Sequence, residues 1–116
     1  MTNLVWNIKN GELEQVMEVI KIKQIDVNSQ IDGRYPLHFA ADFGQNDVLS
    51  FLIEKGAKVD VVDKHSITPL LAAIWEGHTK CVETLIKKGA STKGTTPDGV
   101  PYIEATEKED IKELLK

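Results

Sequence analysis

The chain has 116 residues, with 14 Lys and Arg against 18 Asp and Glu, a formal charge of −4 and a single cysteine. That length holds one domain with one core. The acidic balance supplies no clustered Lys/Arg face for nucleic acid and points to a basic partner surface, while Cys81 alone can form neither an intrachain disulfide nor a cysteine metal cluster. No stretch reaches about 18 apolar residues and no basic start precedes an apolar run. A soluble, unexported cytoplasmic monomer that binds no membrane is therefore expected, with the nucleus left open as a further compartment.

The elements repeat. Leu4 to Gly11 lies 33 residues before Leu37 to Gly44, and Val16, Val19 and Ile20 stand 33 before Leu49, Leu52 and Ile53. This predicts a first helical hairpin without a leading turn. Between Gly11 and Val27 one residue is inserted relative to the later units, and between Asn28 and Pro36 one is missing. Tyr35-Pro36 then starts a helix, since proline is tolerated at the first helical position. Ala40 and Ala41 allow a neighbouring hairpin to come close, and Gly44 allows a tight turn. Val48, Leu49, Leu52 and Ile53 form one apolar stripe of the second helix, which ends at Lys55-Gly56-Ala57 with glycine in the left-handed terminal position.

The third unit copies the second 33 residues on. Thr68-Pro69 starts it, Ala72 and Ala73 are its small residues, Gly77 its turn, and Cys81, Val82, Leu85 and Ile86 its stripe, ending at Lys88-Gly89-Ala90. In the last unit Asp98-Gly99 repeats the turn of Asp32-Gly33, and Ile103 and Ala105 match Leu70 and Ala72. Ile111, Leu114 and Leu115 match Val82, Leu85 and Ile86 at an offset of 29, which predicts a shortened helix-helix turn in an irregular terminal repeat. Glu107-Lys108-Glu109-Asp110 is expected to be that solvated turn and helix start, with acids at the positive helix end.

On Pro36-Leu37-His38-Phe39-Ala40-Ala41-Asp42, Ile67-Thr68-Pro69-Leu70-Leu71, Glu76-Gly77-His78 and Pro97-Asp98-Gly99, at a period of 33, the chain resembles the ankyrin-repeat family. The resemblance implies an all-α solenoid of four stacked helix-turn-helix repeats with short β-turn tips, about 1–33, 34–66, 67–99 and 100–116, in one domain over 1–116. Over nearly its full length the chain also resembles one four-repeat member of about this size. That resemblance implies binding to the heterodimeric actin capping protein, whose barbed-end-binding surface it would mask sterically. A general ankyrin adaptor for another protein, such as a transcription factor, is the alternative, and no cofactor, metal or catalysis is expected of either.

Ankyrin stacks bind through turn tips and first helices. The expected contacts are therefore the tip residues Asp32, Arg34, Lys64, His65 and Ile67, and the first-helix residues Lys9, Asn10, Asp42, Phe43, Trp75 and Glu76, with Trp6 at the end of the stack. Trp75 takes the position held by Lys9 and Asp42, which places an aromatic on a wet surface. Trp6, equivalent to Phe39 and Ala72, either opens to a partner or caps the first repeat's core. Asp42 and Glu76 could form an acidic strip. His38 and His78 are expected to bond the turns of adjoining repeats; His65 is free at its tip, and the three histidines fit no zinc spacing. Cys81 is expected to be an inert buried thiol.

Overall fold

A computed structural model of the chain describes residues 3–116. In chain order the helices are α1 (Leu4–Lys9), α2 (Leu13–Lys23), α3 (Pro36–Asp42), α4 (Asn46–Glu54), α5 (Pro69–Trp75), α6 (Thr79–Lys87) and α7 (Glu109–Leu115), with one 3-10 turn over Tyr102–Glu104. α1 packs on α2, α3 on α4, α5 on α6 and the 3-10 turn on α7. First helices stack along one side, α1 on α3 on α5, and second helices along the other, α2 on α4 on α6 on α7. The result is an elongated body of 41 × 24 × 21 Å. Among the described residues no helix is long and apolar enough to cross a membrane.

The repeat spacing places equivalent side chains at equivalent depth. Leu49 and Val82 are fully buried, as are Leu52 and Leu85, and Val48 and Cys81. The alanines at 40, 41, 72 and 73 are essentially inaccessible, so α3 and α5 approach over small side chains while Leu37, Leu70, Leu71 and Ile74 fill the space behind them. One continuous core runs from Ile8 to Leu115.

Side chains latch each hairpin to the one before it. Gln45 Nε2 donates to the Lys9 carbonyl (2.8 Å), and 33 residues on His78 Nε2 bonds the Asp42 carbonyl (3.0 Å). Both bonds satisfy the C-terminal end of a first helix, whose last carbonyls lack intrahelical partners. The latch also explains the glycine: Gly44 sits at φ +68, and a Cβ there would press on the His78 ring at 2.6 Å. His38 serves the other end. Its Nε2 bonds the Ile67 carbonyl of the next repeat (2.7 Å) and its Nδ1 accepts from the Tyr35 N–H (3.1 Å), so the expectation for His38 and His78 holds.

The first inter-repeat segment absorbs both of its irregularities. α2 runs for 11 residues where α4 and α6 run for nine, and Gln24 adopts the left-handed conformation (φ 51) that Gly56 takes later. The missing residue tightens the tip: Ile31 and Arg34 bond each other through both backbone groups around Asp32 and Gly33, which have φ of 53 and 83. Two consecutive positive φ values define the two-residue turn that Asp-Gly favours. The third tip is one residue longer, spanned by Asp63 N–H to the Ile67 carbonyl (3.0 Å), with Ser66 at φ 65. The fourth repeats that longer form between Thr96 and Val100 (2.8 Å), so Asp98-Gly99 does not reproduce the tighter Asp32-Gly33 turn.

The terminal repeat corrects two expectations. What is short is the first helix, reduced to the single 3-10 turn, rather than the link between helices. Ile111 and Leu115 are buried while Leu114 is half-buried. They therefore correspond to Cys81 and Leu85, an offset of 30 rather than 29. The buried pair spaced by four decides the register, because residues i and i+4 lie on one helix face. Tyr102 fills the space left by the lost helix: its hydroxyl bonds Thr68 Oγ1 (2.7 Å), and its ring occupies the place a Cβ at Gly94 would need.

Candidate protein-binding face

The C-terminal ends of α1 and α3 and the tips at Ile31–Arg34 and Asp63–Ile67 come together on one side of the stack, and there the side chains separate into tied and free groups. Arg34 is tied. Its Nη1 donates to Asp42 Oδ2 (3.1 Å) and its Nε to Asp63 Oδ2 (3.0 Å), and its guanidinium lies 5.2 Å from the Phe39 ring centre. Asp63 is the buried hub. Its Oδ1 accepts from the backbone N–H groups of His65 (2.8 Å) and Ile67 (3.0 Å), shaping the third tip. Burial pushes the Asp63 carboxyl upward, but the Ile67 and His65 N–H bonds and Arg34 outweigh it and hold the carboxyl below the usual aspartate value. Burial lowers the affinity of His38 for a proton, against the opposing pull of the Ile67 carbonyl and Asp63.

Asp42 is thus half-buried and engaged by Arg34, while Glu76 is exposed at the end of α5. The structure does not bring these two together as a strip of free carboxylates. The free groups are Trp6 (55% exposed), Phe43 (47%) and Trp75 (46%), with Asp32, Lys64, His65 and Glu76 exposed around them. Lys9 is half-buried, its ammonium 5.0 Å from the Phe43 ring centre and 5.8 Å from that of Phe39, a cation–π arrangement. A shallow depression of about 440 Å³ lies between α1 and the tips, lined by Val5, Ile31, Phe39, Lys9, Lys64 and His65 among others. Asn10 donates to the Trp6 carbonyl (2.8 Å) and closes α1. Ile67 is half-buried, its backbone engaged by Asp63 and His38.

Repeat by repeat, the sides of these helices show why aromatic exposure marks the face. Phe39 is 8% exposed and Ala72 2%, yet Trp6 at the same position stands open, with no repeat packed outside it among the described residues. Trp75 is open at a position that the polar Lys9 and Asp42 hold half-buried in the preceding repeats. Asp63 is the residue that sequence reasoning passed over as a site organiser. Its counterparts at the start of the other two tips are Ile31 and Thr96, and Thr96 likewise bonds across its tip, so the tip position itself was the available signal. Cys81 lies apart, fully buried in the stack, and burial pushes its thiol up to about 11. Such a thiol is protonated and unreactive at neutral pH.

A family model described as Ankyrin repeats (3 copies) matches residues 4–96. The chain belongs to the ankyrin-repeat family. It is 52% identical over 112 residues to myotrophin of Xenopus tropicalis, covering 96% of this chain and 94% of that one. It is 36% identical to the human inhibitor of Bruton tyrosine kinase over 66% of its length, which is 6% of that protein. Among solved structures, a chain of the Bdellovibrio bacteriovorus predatory endopeptidase and immunity protein complex superposes with a TM-score of 0.91 at 24% identity. That likeness covers 99% of this chain and 62% of the other and concerns the fold. Ankyrin stacks are interaction modules built from repeats that contact only their neighbours, and this chain is one that resembles myotrophin.

Proposed function

We propose that this chain binds the actin capping protein heterodimer in the cytoplasm and inhibits it sterically, leaving filament barbed ends free to grow, without catalysing any reaction. The similarity to myotrophin over nearly the whole of both chains carries this reading. The free side of the stack suits it. Trp75 ends α5 and Phe43 directly follows α3, both large aromatics held open, and tryptophan in particular is enriched among the residues that dominate the binding energy of protein interfaces. The net charge of −4 favours encounter with a basic surface. A groove this shallow and open offers nothing like an enclosed substrate site.

Purified chain mixed with capping protein should form a stoichiometric complex that weakens with salt. Seeded actin growth in the presence of capping protein should recover as the chain is added. Trp75→Ala should raise the dissociation constant by about tenfold or more. If excess chain leaves capping unchanged and no complex is detected, the reading is wrong and another protein partner must be sought.

A further inference from the structure

On the opposite side of the molecule, α2 and α4 leave an open apolar groove that the partner-facing side does not use. It measures about 670 Å³ and is lined by Met17, Ile20 and Phe51, with Glu14 toward the N-terminal end of α2, Glu18 beside Met17 at its middle, and Lys21 and Lys55 toward the other end. Met17 is 44% exposed. Its equivalents in the next two repeats are Ser50 and Glu83, so the repeat makes this position polar except in the first unit. Lys55 lies over the Phe51 ring at 5.7 Å. None of Glu14, Glu18, Lys21 and Lys55 forms a salt bridge among the described residues.

We infer that this groove is a self-association surface that takes α2 of a second copy of the chain, antiparallel across a two-fold axis near Met17. The charge order decides the occupant. Glu14 and Lys21 are seven residues apart, two helical turns, and so lie on one stripe with Met17 between them. Antiparallel pairing brings Glu14 of each copy to Lys21 of the other, while the two Met17 side chains meet at the axis over Ile20 and Phe51. Along the stripe from Glu14 through Met17 to Lys21, with Glu18 to one side of it, the patch is acidic at one end, apolar in the middle and basic at the other, and so complements itself under a two-fold rotation, as an isologous contact requires. Parallel pairing would set like charges together. The adaptable, polarizable Met17 side chain suits an interface that must also tolerate water when unpaired. The surface lies away from Trp75 and the tips, so the inference stands independently of the proposed partner.

Sedimentation equilibrium of the full chain over a concentration series tests it. A reversible monomer–dimer equilibrium is expected, with a dissociation constant in the roughly micromolar-to-millimolar range that weakens as salt rises. Met17→Glu should weaken it by about tenfold or more. Glu14→Lys and Lys21→Glu should each weaken it, and the two together should restore it, because the swap exchanges the charges without removing the complementarity. All these residues are exposed, and unchanged thermal melting of each variant would show that its fold is intact. A chain that stays monomeric throughout, a dimer indifferent to Met17→Glu, or a double reversal no better than its parents would each overturn the inference.

Discussion

The two middle repeats and the two end repeats use one hairpin but meet different surroundings. α3 and α5 each begin at a proline, carry paired alanines and are covered on both sides. α1 is capped instead by Asn3, whose side chain accepts from the Trp6 N–H (3.0 Å). It holds Asn7, 5% exposed and with an Nδ2 that finds no hydrogen-bond partner among the described residues, where the middle repeats have Ala40 and Ala73. The fourth repeat keeps only one 3-10 turn of its first helix. A repeat covered on both sides is held to strict side-chain sizes, whereas an end repeat tolerates departures because water meets one of its faces.

That contrast is broken most directly at the core. Leu70→Ala, at a fully buried site between neighbours, should cost about 3–4 kcal/mol in urea unfolding, as cavity-forming substitutions do. Leu114→Ala, half-buried in the last helix, should cost about 1 kcal/mol by lost apolar burial, and equal losses would erase the distinction. Next, Arg34→Met should cost about 3 kcal/mol, since it strands the buried Asp63 carboxylate without its cation. An unchanged unfolding midpoint would show that the tip bonds alone sustain Asp63.

A pH series sharpens the comparison further. The His38 proton affinity is depressed in the fold relative to its ordinary value of 6.5, so the folded state binds fewer protons than the unfolded one. The stability this contributes is full above about pH 6.5 and declines as pH falls through the folded value. Asp63, also depressed, acts in the same sense only below its ordinary 3.8. Stability should therefore fall from about pH 7 to pH 5, and His38→Gln should flatten that slope; a slope unchanged in the variant would assign it elsewhere. The smallest effect belongs to the partner-facing side. Trp75→Ala should alter unfolding stability by no more than about 0.5 kcal/mol, and a larger loss would mean that its ring packs rather than protrudes.

The fold was legible because the spacing of 33 puts the same chemistry at Leu37 and Leu70, at Gly44 and Gly77, and at Lys55 and Lys88. Apolar period, proline starts and glycine turns are local signals, and each position has a copy against which to be checked. In the last repeat hydrophobicity alone favours an offset of 29, which sets Ile111, Leu114 and Leu115 on Val82, Leu85 and Ile86, whereas burial sets Ile111 and Leu115 on Cys81 and Leu85 and leaves Leu114 opposite Thr84. The exposure of Trp75 was legible for the same periodic reason. The fate of Asp42 was not: nothing in the order of residues says that Arg34, eight positions earlier, turns back to it.

The amino-acid order by itself determined the repeat, the helix starts and stops, the two irregularities of the first inter-repeat segment and the wet position of Trp75, because all of these follow from backbone preference and short-range periodicity. Only the tertiary structure decided which charges are spent and which are free. The Arg34–Asp63 bond spans 29 residues and the His78 latch 36, and whether such groups meet depends on the close approach of hairpins packed side by side.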